Sequence, residues 1–252
     1  MSATSKVRVS PRRTKSAILP QIGASSDVQS CLRVYSGLDR IGTREKLSRK
    51  SDRLVNWTVF ALAFTSGFII MSIELLGGRI LAPYFGSSIY VWGSIITVFM
   101  VSLSIGYLTG GHLSLSGPRL SRYGYFFLAA AVTAVPTIIF GEQLMDWVFM
   151  RVEDPRYGSL LAATLLFFIP TAILGMIAPY SVRLLVQESH YSGKVAGGLY
   201  FVSTLGSALG TLLTSFYLVL LFEINQILVT MAVTLVACFI IANLVDRKPE
   251  SI

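Results

Sequence analysis

"LVNWTVFALAFTSGFIIMSIELL", Leu54 to Leu76, is a mostly apolar run with a single charge, Glu74, near its end. About 20 apolar residues in helical form cross the roughly 30 Å of hydrocarbon in a bilayer. A helix does so because it satisfies its own backbone hydrogen bonds where no water is at hand. The stretch therefore reads as a transmembrane helix, and the pattern recurs along the chain. Six spans are expected at Leu54–Leu76, Ile89–Leu108, Tyr123–Phe140, Gly158–Val186, Val195–Phe222 and Ile224–Leu244. The fold class is an all-α integral membrane protein, with a six-helix transmembrane domain over residues 55–244. Turns are expected at Gly77-Gly78 with Pro83, at Gly117-Pro118, over the charged stretch Glu142–Arg156, over Glu188–Lys194 and at Glu223.

Composition agrees. Of 252 residues, 53% are hydrophobic and 13% charged, and the mean hydropathy is +0.66. Soluble domains carry about 25% charged residues. The net charge of +8 resides entirely in residues 1–54, which hold twelve Lys/Arg against four acids, while the remainder balances at nine against nine. A basic segment running straight into a membrane span is a topology signal attracted to anionic lipid, not a nucleic-acid-binding feature. With the N-terminus inside, 18 bases fall on cytoplasmic segments and three, Arg79, Arg151 and Arg156, fall outside. This predicts cytoplasmic termini in a cell inner or plasma membrane, with a basic, poorly structured tail over 1–54 and a short C-terminus over 245–252. The segment 1–26 is rich in Arg, Lys and Ser and free of acids, so a cleaved transit peptide is the alternative there. Cys31 and Cys238 offer no disulfide or metal geometry, and His112 and His190 stand isolated; no metal or cofactor is expected.

Within the spans, Pro170 and Pro179 interrupt the fourth helix, and each removes a backbone hydrogen bond, so kinks are expected there. The fifth span carries a small-residue face of Ser203, Gly206, Ser207, Gly210, Thr211 and Thr214, and the second repeats the device with Gly106 and Gly110. Small faces let helix backbones approach closely where no hydrophobic effect drives helices together.

The stretch "IELLGGRILAPYFGSSIYVWGSI", Ile73 to Ile95, places an acid and a base at membrane depth. At about 1.5 Å per residue Glu74 lies roughly 30 Å along the helix from Leu54, towards its outer end. Arg79 follows at the interface, beside an aromatic belt that includes Tyr84, Phe85, Tyr90 and Trp92. Their spacing puts Glu74 and Arg79 on different helical faces, so a direct bond requires Gly77-Gly78 to unwind. Arg79 either snorkels outward while Glu74 faces a neighbouring helix or water, or Glu74 faces a cavity inside the bundle. Glu74, Arg79, Tyr90 and Trp92 are the candidate substrate-binding residues.

"ELLGGRILAPYFGSSIYVWGSIITVFMVSLSIGYLTGG" together with "GKVAGGLYFVSTLGSALGTLLTSFYL" resembles the membrane domain of fused major-facilitator/spermidine-synthase-like proteins. The resemblance covers about residues 55–244. It implies one half of a major-facilitator fold, built as a 3+3 inverted repeat. It also implies a following aminopropyltransferase domain, but this sequence ends shortly after Leu244 with no glycine-rich nucleotide loop and no catalytic set. No enzymatic activity is expected of this chain alone.

The expected function is a membrane module that binds or passes a cationic small molecule, such as a polyamine, together with a membrane or soluble partner. Glu74 would be the counter-charge. Two alternatives stand beside it. One is a non-transporting assembly subunit of a larger membrane complex. The other is a homodimeric small-solute transporter.

Overall fold

The computed structural model describes residues 26–186 and 192–246, with side chains from Arg53 onward. The side chains before Arg53, Cys31 among them, and residues 187–191 and 247–252, with His190, Arg247 and Lys248, lie outside that description. Six long apolar helices dominate. α1 is Ser26–Phe85, of which Arg53–Phe85 is long and apolar enough to cross a membrane. The others are α2 (Ile89–Leu113), α3 (Leu120–Arg151), α4 (Pro155–Leu185), α5 (Ser192–Leu221) and α6 (Ile224–Asp246). The protein is an integral membrane protein with six spans among the described residues.

The spans run past their sequence-predicted ends. Gly77-Gly78 is not a turn: α1 continues through it to Phe85. Both glycines are buried and serve close approach instead. A Cβ at Gly77 would stand 3.2 Å from the Phe167 ring, and one at Gly78 would stand 2.6 Å from the Trp92 indole. The chain turns at Gly86, whose φ of 77° is a left-handed value that glycine adopts without strain. Its N–H donates to the Ala82 carbonyl at 2.9 Å. The charged stretch from Glu142 is likewise mostly helix. α3 carries Glu142, Asp146 and Arg151 towards its end and stops before Val152. The following helix starts at once, with the Asp154 side chain accepting from the Arg156 N–H at 2.9 Å and Pro155 in the first turn. At its other end, α1 reaches back to Ser26, into the stretch expected to be poorly structured; Pro83 is the only proline within it.

Helix α4 runs unbroken through Pro170 and Pro179. A proline at 170 leaves the Leu166 carbonyl without its normal helical donor. Thr137 of α3 supplies one, its Oγ1 donating to Leu166 O at 2.8 Å. Elsewhere the core joins helices through small hydroxyls. Ser94 and Ser159 share a hydrogen bond of 3.1 Å between α2 and α4, and Ser181 Oγ donates to Tyr123 Oη at 2.8 Å between α4 and α3. Among the described residues no buried side-chain nitrogen or oxygen lacks a partner, as a medium without water requires.

Two helix crossings repeat each other in register. In the first, Gly106 and Gly110 of α2 lie directly against the backbone of Ala172 and Met176 of α4, and Gly175 faces the backbone of Leu103. In the second, Gly206 and Gly210 of α5 lie against the backbone of Phe64 and Phe68 of α1, and Gly67 faces the carbonyl of Ser203. The α1 positions 64, 67 and 68 correspond, at one constant offset, to positions 172, 175 and 176 of α4. The α2 positions 103, 106 and 110 correspond in the same way to positions 203, 206 and 210 of α5. At Gly67, Gly106, Gly110, Gly206 and Gly210 a methyl group would drive the helices apart.

Candidate functional site: a carboxylate between two helix contacts

On α1, positions 67, 74 and 78 are spaced seven and four apart and so share one helical face. Gly67 is held by α5: it faces the Ser203 carbonyl, and Ser207 Oγ donates to Gly67 O at 3.2 Å. Gly78 is held by α2, whose Trp92 indole lies across it. Glu74 sits between these contacts, half-buried. Among the described residues it makes no hydrogen bond and no ion pair. The arrangement is a carboxyl side chain without a protein partner, one turn from the glycine that the Trp92 indole covers, with both flanking glycines closely packed by neighbouring helices.

The other candidate residues are placed elsewhere. Arg79 is exposed, about 140° around an intact helix from Glu74, so the two do not meet. Tyr90 is taken up by Arg156. Its hydroxyl accepts from Arg156 Nη2 at 3.3 Å, and the guanidinium sits 4.4 Å from the ring centroid. Tyr84 and Phe85 meet Phe149 of α3 edge-on, each with centroids 6.1 Å apart. The structure thus brings Glu74 and Trp92 to one face and leaves Arg79 and Tyr90 off it.

Three features of this region lie beyond the sequence reading. Gly67 and Gly78 bracket Glu74 at helical spacing, a signal that the residue pattern does carry. Arg156 is the partner of Tyr90, which sequence separation hides. Helix α5 also widens into a π turn over Thr214–Leu218. There Thr214 Oγ1 donates to Ser72 Oγ at 2.8 Å, and Ser72 Oγ donates to the Gly210 carbonyl at 3.4 Å. Such widened turns inside α-helices often lie near functional sites.

The exposed faces of the helices differ in polarity. α2 exposes Thr97 and Ser104 on one face, continued by Gly93 and Gly111, which have no neighbour within 4 Å of a Cβ position. α5 exposes Thr204 and Ser215, with Thr211 half-exposed on the same face. Ser104 matches Thr204, and Gly111 matches Thr211, at the same offset that relates the α2 and α5 crossings. By contrast α4 exposes Leu160, Leu161, Leu165 and Ile169 through its middle, and α3 exposes Val132, Val135, Ile139 and Phe140. Among the described residues no group of three or more His, Cys, Asp or Glu could hold a metal ion. No family model matches the chain, and no curated protein and no solved structure matches it.

Proposed function

We propose that this chain is a six-helix membrane module with an intramembrane site for a small organic cation, acting together with a protein partner. The observation that supports it is Glu74: a half-buried carboxylate without a partner among the described residues, on the α1 face that Trp92 overhangs. A carboxylate within a span is costly and marks an ion or substrate site by default. An indole face attracts organic cations, most strongly where water is excluded. Polyamines are the class that the resemblance to spermidine-synthase-fused membrane domains implies. On this reading the protein lies in an inner or plasma membrane with both termini cytoplasmic. The two crossings at fixed sequence offsets support a 3+3 inverted repeat, with α1–α3 matching α4–α6. The chain is not an enzyme by itself.

The test is Glu74→Gln, which keeps shape and removes charge. Thermal-shift and uptake measurements with spermidine are expected to respond in the wild type and to fail in the Gln variant, with Glu74→Asp retaining part. A Gln variant that binds spermidine as the wild type does would overturn the role of Glu74. A wild type without any spermidine-dependent shift would remove the ligand.

A second reading is a homodimeric transporter, supported by the hydroxyl stripes of α2 and α5, which are poorly suited to lipid. Cysteines at Thr97 and Thr204 would crosslink between copies if these stripes meet. A monomer by light scattering in nanodiscs would exclude it. A third reading, a non-transporting assembly subunit, requires only that the stripes meet another protein.

A further inference from the structure

Between α1 and α5, at the end of the bundle where both helices begin their membrane spans, lies an open groove of about 630 Å³. Asn56, Trp57, Phe60, Ala61, Phe64 and Thr65 line it from α1, and Val202 lines it from α5. Its lining residue Phe60 also packs on Gly198 of α5, 3.8 Å from ring to Cβ position. The lining is almost wholly apolar, and the Thr65 hydroxyl is turned to the Ala61 carbonyl of its own helix at 3.0 Å. A polar solute would lose its hydration here and regain little.

Two cations precede the lining residues on the same helical faces. Arg53 lies four positions before Trp57 and seven before Phe60, on the same α1 face as both. Lys194 lies four positions before Gly198 on α5, so it extends the face that Phe60 touches. Both are exposed, and neither is paired with a carboxylate among the described residues. Trp57, one turn after Arg53, lines the groove with its ring largely exposed, as an interfacial tryptophan does at lipid headgroup level.

We infer that this groove is a binding site for one anionic phospholipid. Its phosphate would be held between Arg53 and Lys194, and one acyl chain would lie along Phe60, Phe64 and Val202. The guanidinium fork suits phosphate oxygens, and the ammonium adds a second point charge. The charge of Arg53 and Lys194 selects the head and the apolar walls select the tail, so neither free phosphate nor a neutral lipid fits both parts. This site is independent of Glu74 and of the cation reading above.

The experiment is delipidation of the full chain in detergent, followed by titration with phosphatidylglycerol or phosphatidylcholine of identical acyl chains. Retained lipid per protein is counted by mass spectrometry. The wild type is expected to retain about one phosphatidylglycerol, with roughly tenfold preference over phosphatidylcholine, as two interfacial cations provide. Arg53→Gln with Lys194→Gln is expected to abolish the preference while leaving helix content by circular dichroism unchanged. Val202→Trp, which fills the groove, is expected to lower retention with both cations intact. Equal retention of the two lipids by the wild type overturns the inference. So does a preference that survives the double Gln variant, because the selecting charge then lies elsewhere. Displacement of the lipid by millimolar inorganic phosphate would show a phosphate site without an acyl component and would equally overturn it.

Discussion

Thr137 on α3 donates its hydroxyl to the Leu166 carbonyl on α4 at 2.8 Å, and Leu166 is the residue whose helical donor Pro170 removes. A proline in a membrane helix is tolerated where a neighbouring helix satisfies the freed carbonyl. Here one hydroxyl does so, and it joins α3 to α4. Thr137→Val keeps the shape and removes the donor. Stability in detergent is expected to fall by about 1–2 kcal/mol. Pro170→Ala in the same background is expected to recover most of that loss, because the helix then supplies its own bond. Equal cost of Thr137→Val with and without Pro170 would mean that the pair is not coupled; a double-mutant cycle measures this directly.

The glycine crossings make a paired prediction. Gly206→Leu and Gly106→Leu each force a side chain into backbone of the facing helix, at Phe64 and Ala172 respectively. Each is expected to cost about 1–3 kcal/mol or to prevent assembly, as overpacking does. Gly197→Leu and Gly93→Leu point into open space and are expected to leave the monomer's thermal unfolding unchanged. If Gly206→Leu unfolds like the wild type, the α1–α5 crossing is wrong.

Tyr90 and Trp92, close neighbours on α2, are expected to behave differently. Tyr90→Leu removes the ring under Arg156 and loosens the end of α2 against α4, at a cost of about 0.5–1 kcal/mol. It should leave cation binding untouched. Trp92→Leu removes the indole from the Glu74 face and its packing on Gly78, and is expected to weaken spermidine binding about tenfold beyond any loss of stability. A reversed pattern in paired binding and melting curves would place the cation site at Tyr90 instead.

Topology is open to direct labelling. Glu153 is exposed in the short turn between α3 and α4. A cysteine there is expected to react with an impermeant thiol reagent in intact cells, whereas Cys31 reacts only in broken cells or inverted vesicles. The opposite outcome would reverse the proposed orientation.

How far the residues speak for themselves differs from helix to helix. The run from Leu54 to Leu76 carries its own solution, because an unbroken apolar segment of that length has one stable form in lipid. The same holds for the other five spans, and α2 and α6 begin at the very residues, Ile89 and Ile224, where the apolar pattern begins. The ends are less legible. Glycine pairs and charge clusters signal turns in water, yet α1 passes through Gly77-Gly78 and α3 through Glu142. In both cases the helix continues because its backbone bonds are worth keeping and its side chains find room. In α1 the two glycines themselves leave the room, which Phe167 and Trp92 fill, and in α3 the partly open surface provides it.

The site divides in the same way. That Glu74 is an acid in a span, and that 106, 110, 206 and 210 are glycines on common helical faces, is written in local spacing. What local spacing omits is which face meets which helix. Gly67 and Gly78, on either side of Glu74 along its helical face, are met by Ser207 from a helix far along the chain and by Trp92 from the next one, and Tyr90 is bound by Arg156. Hydrophobic length is a property of one segment measured against a bilayer, so the chain alone settles it. The pairing of faces is a property of two segments at once: it depends on which backbones can approach closely and which hydroxyls can reach a freed carbonyl, and only the folded bundle decides that.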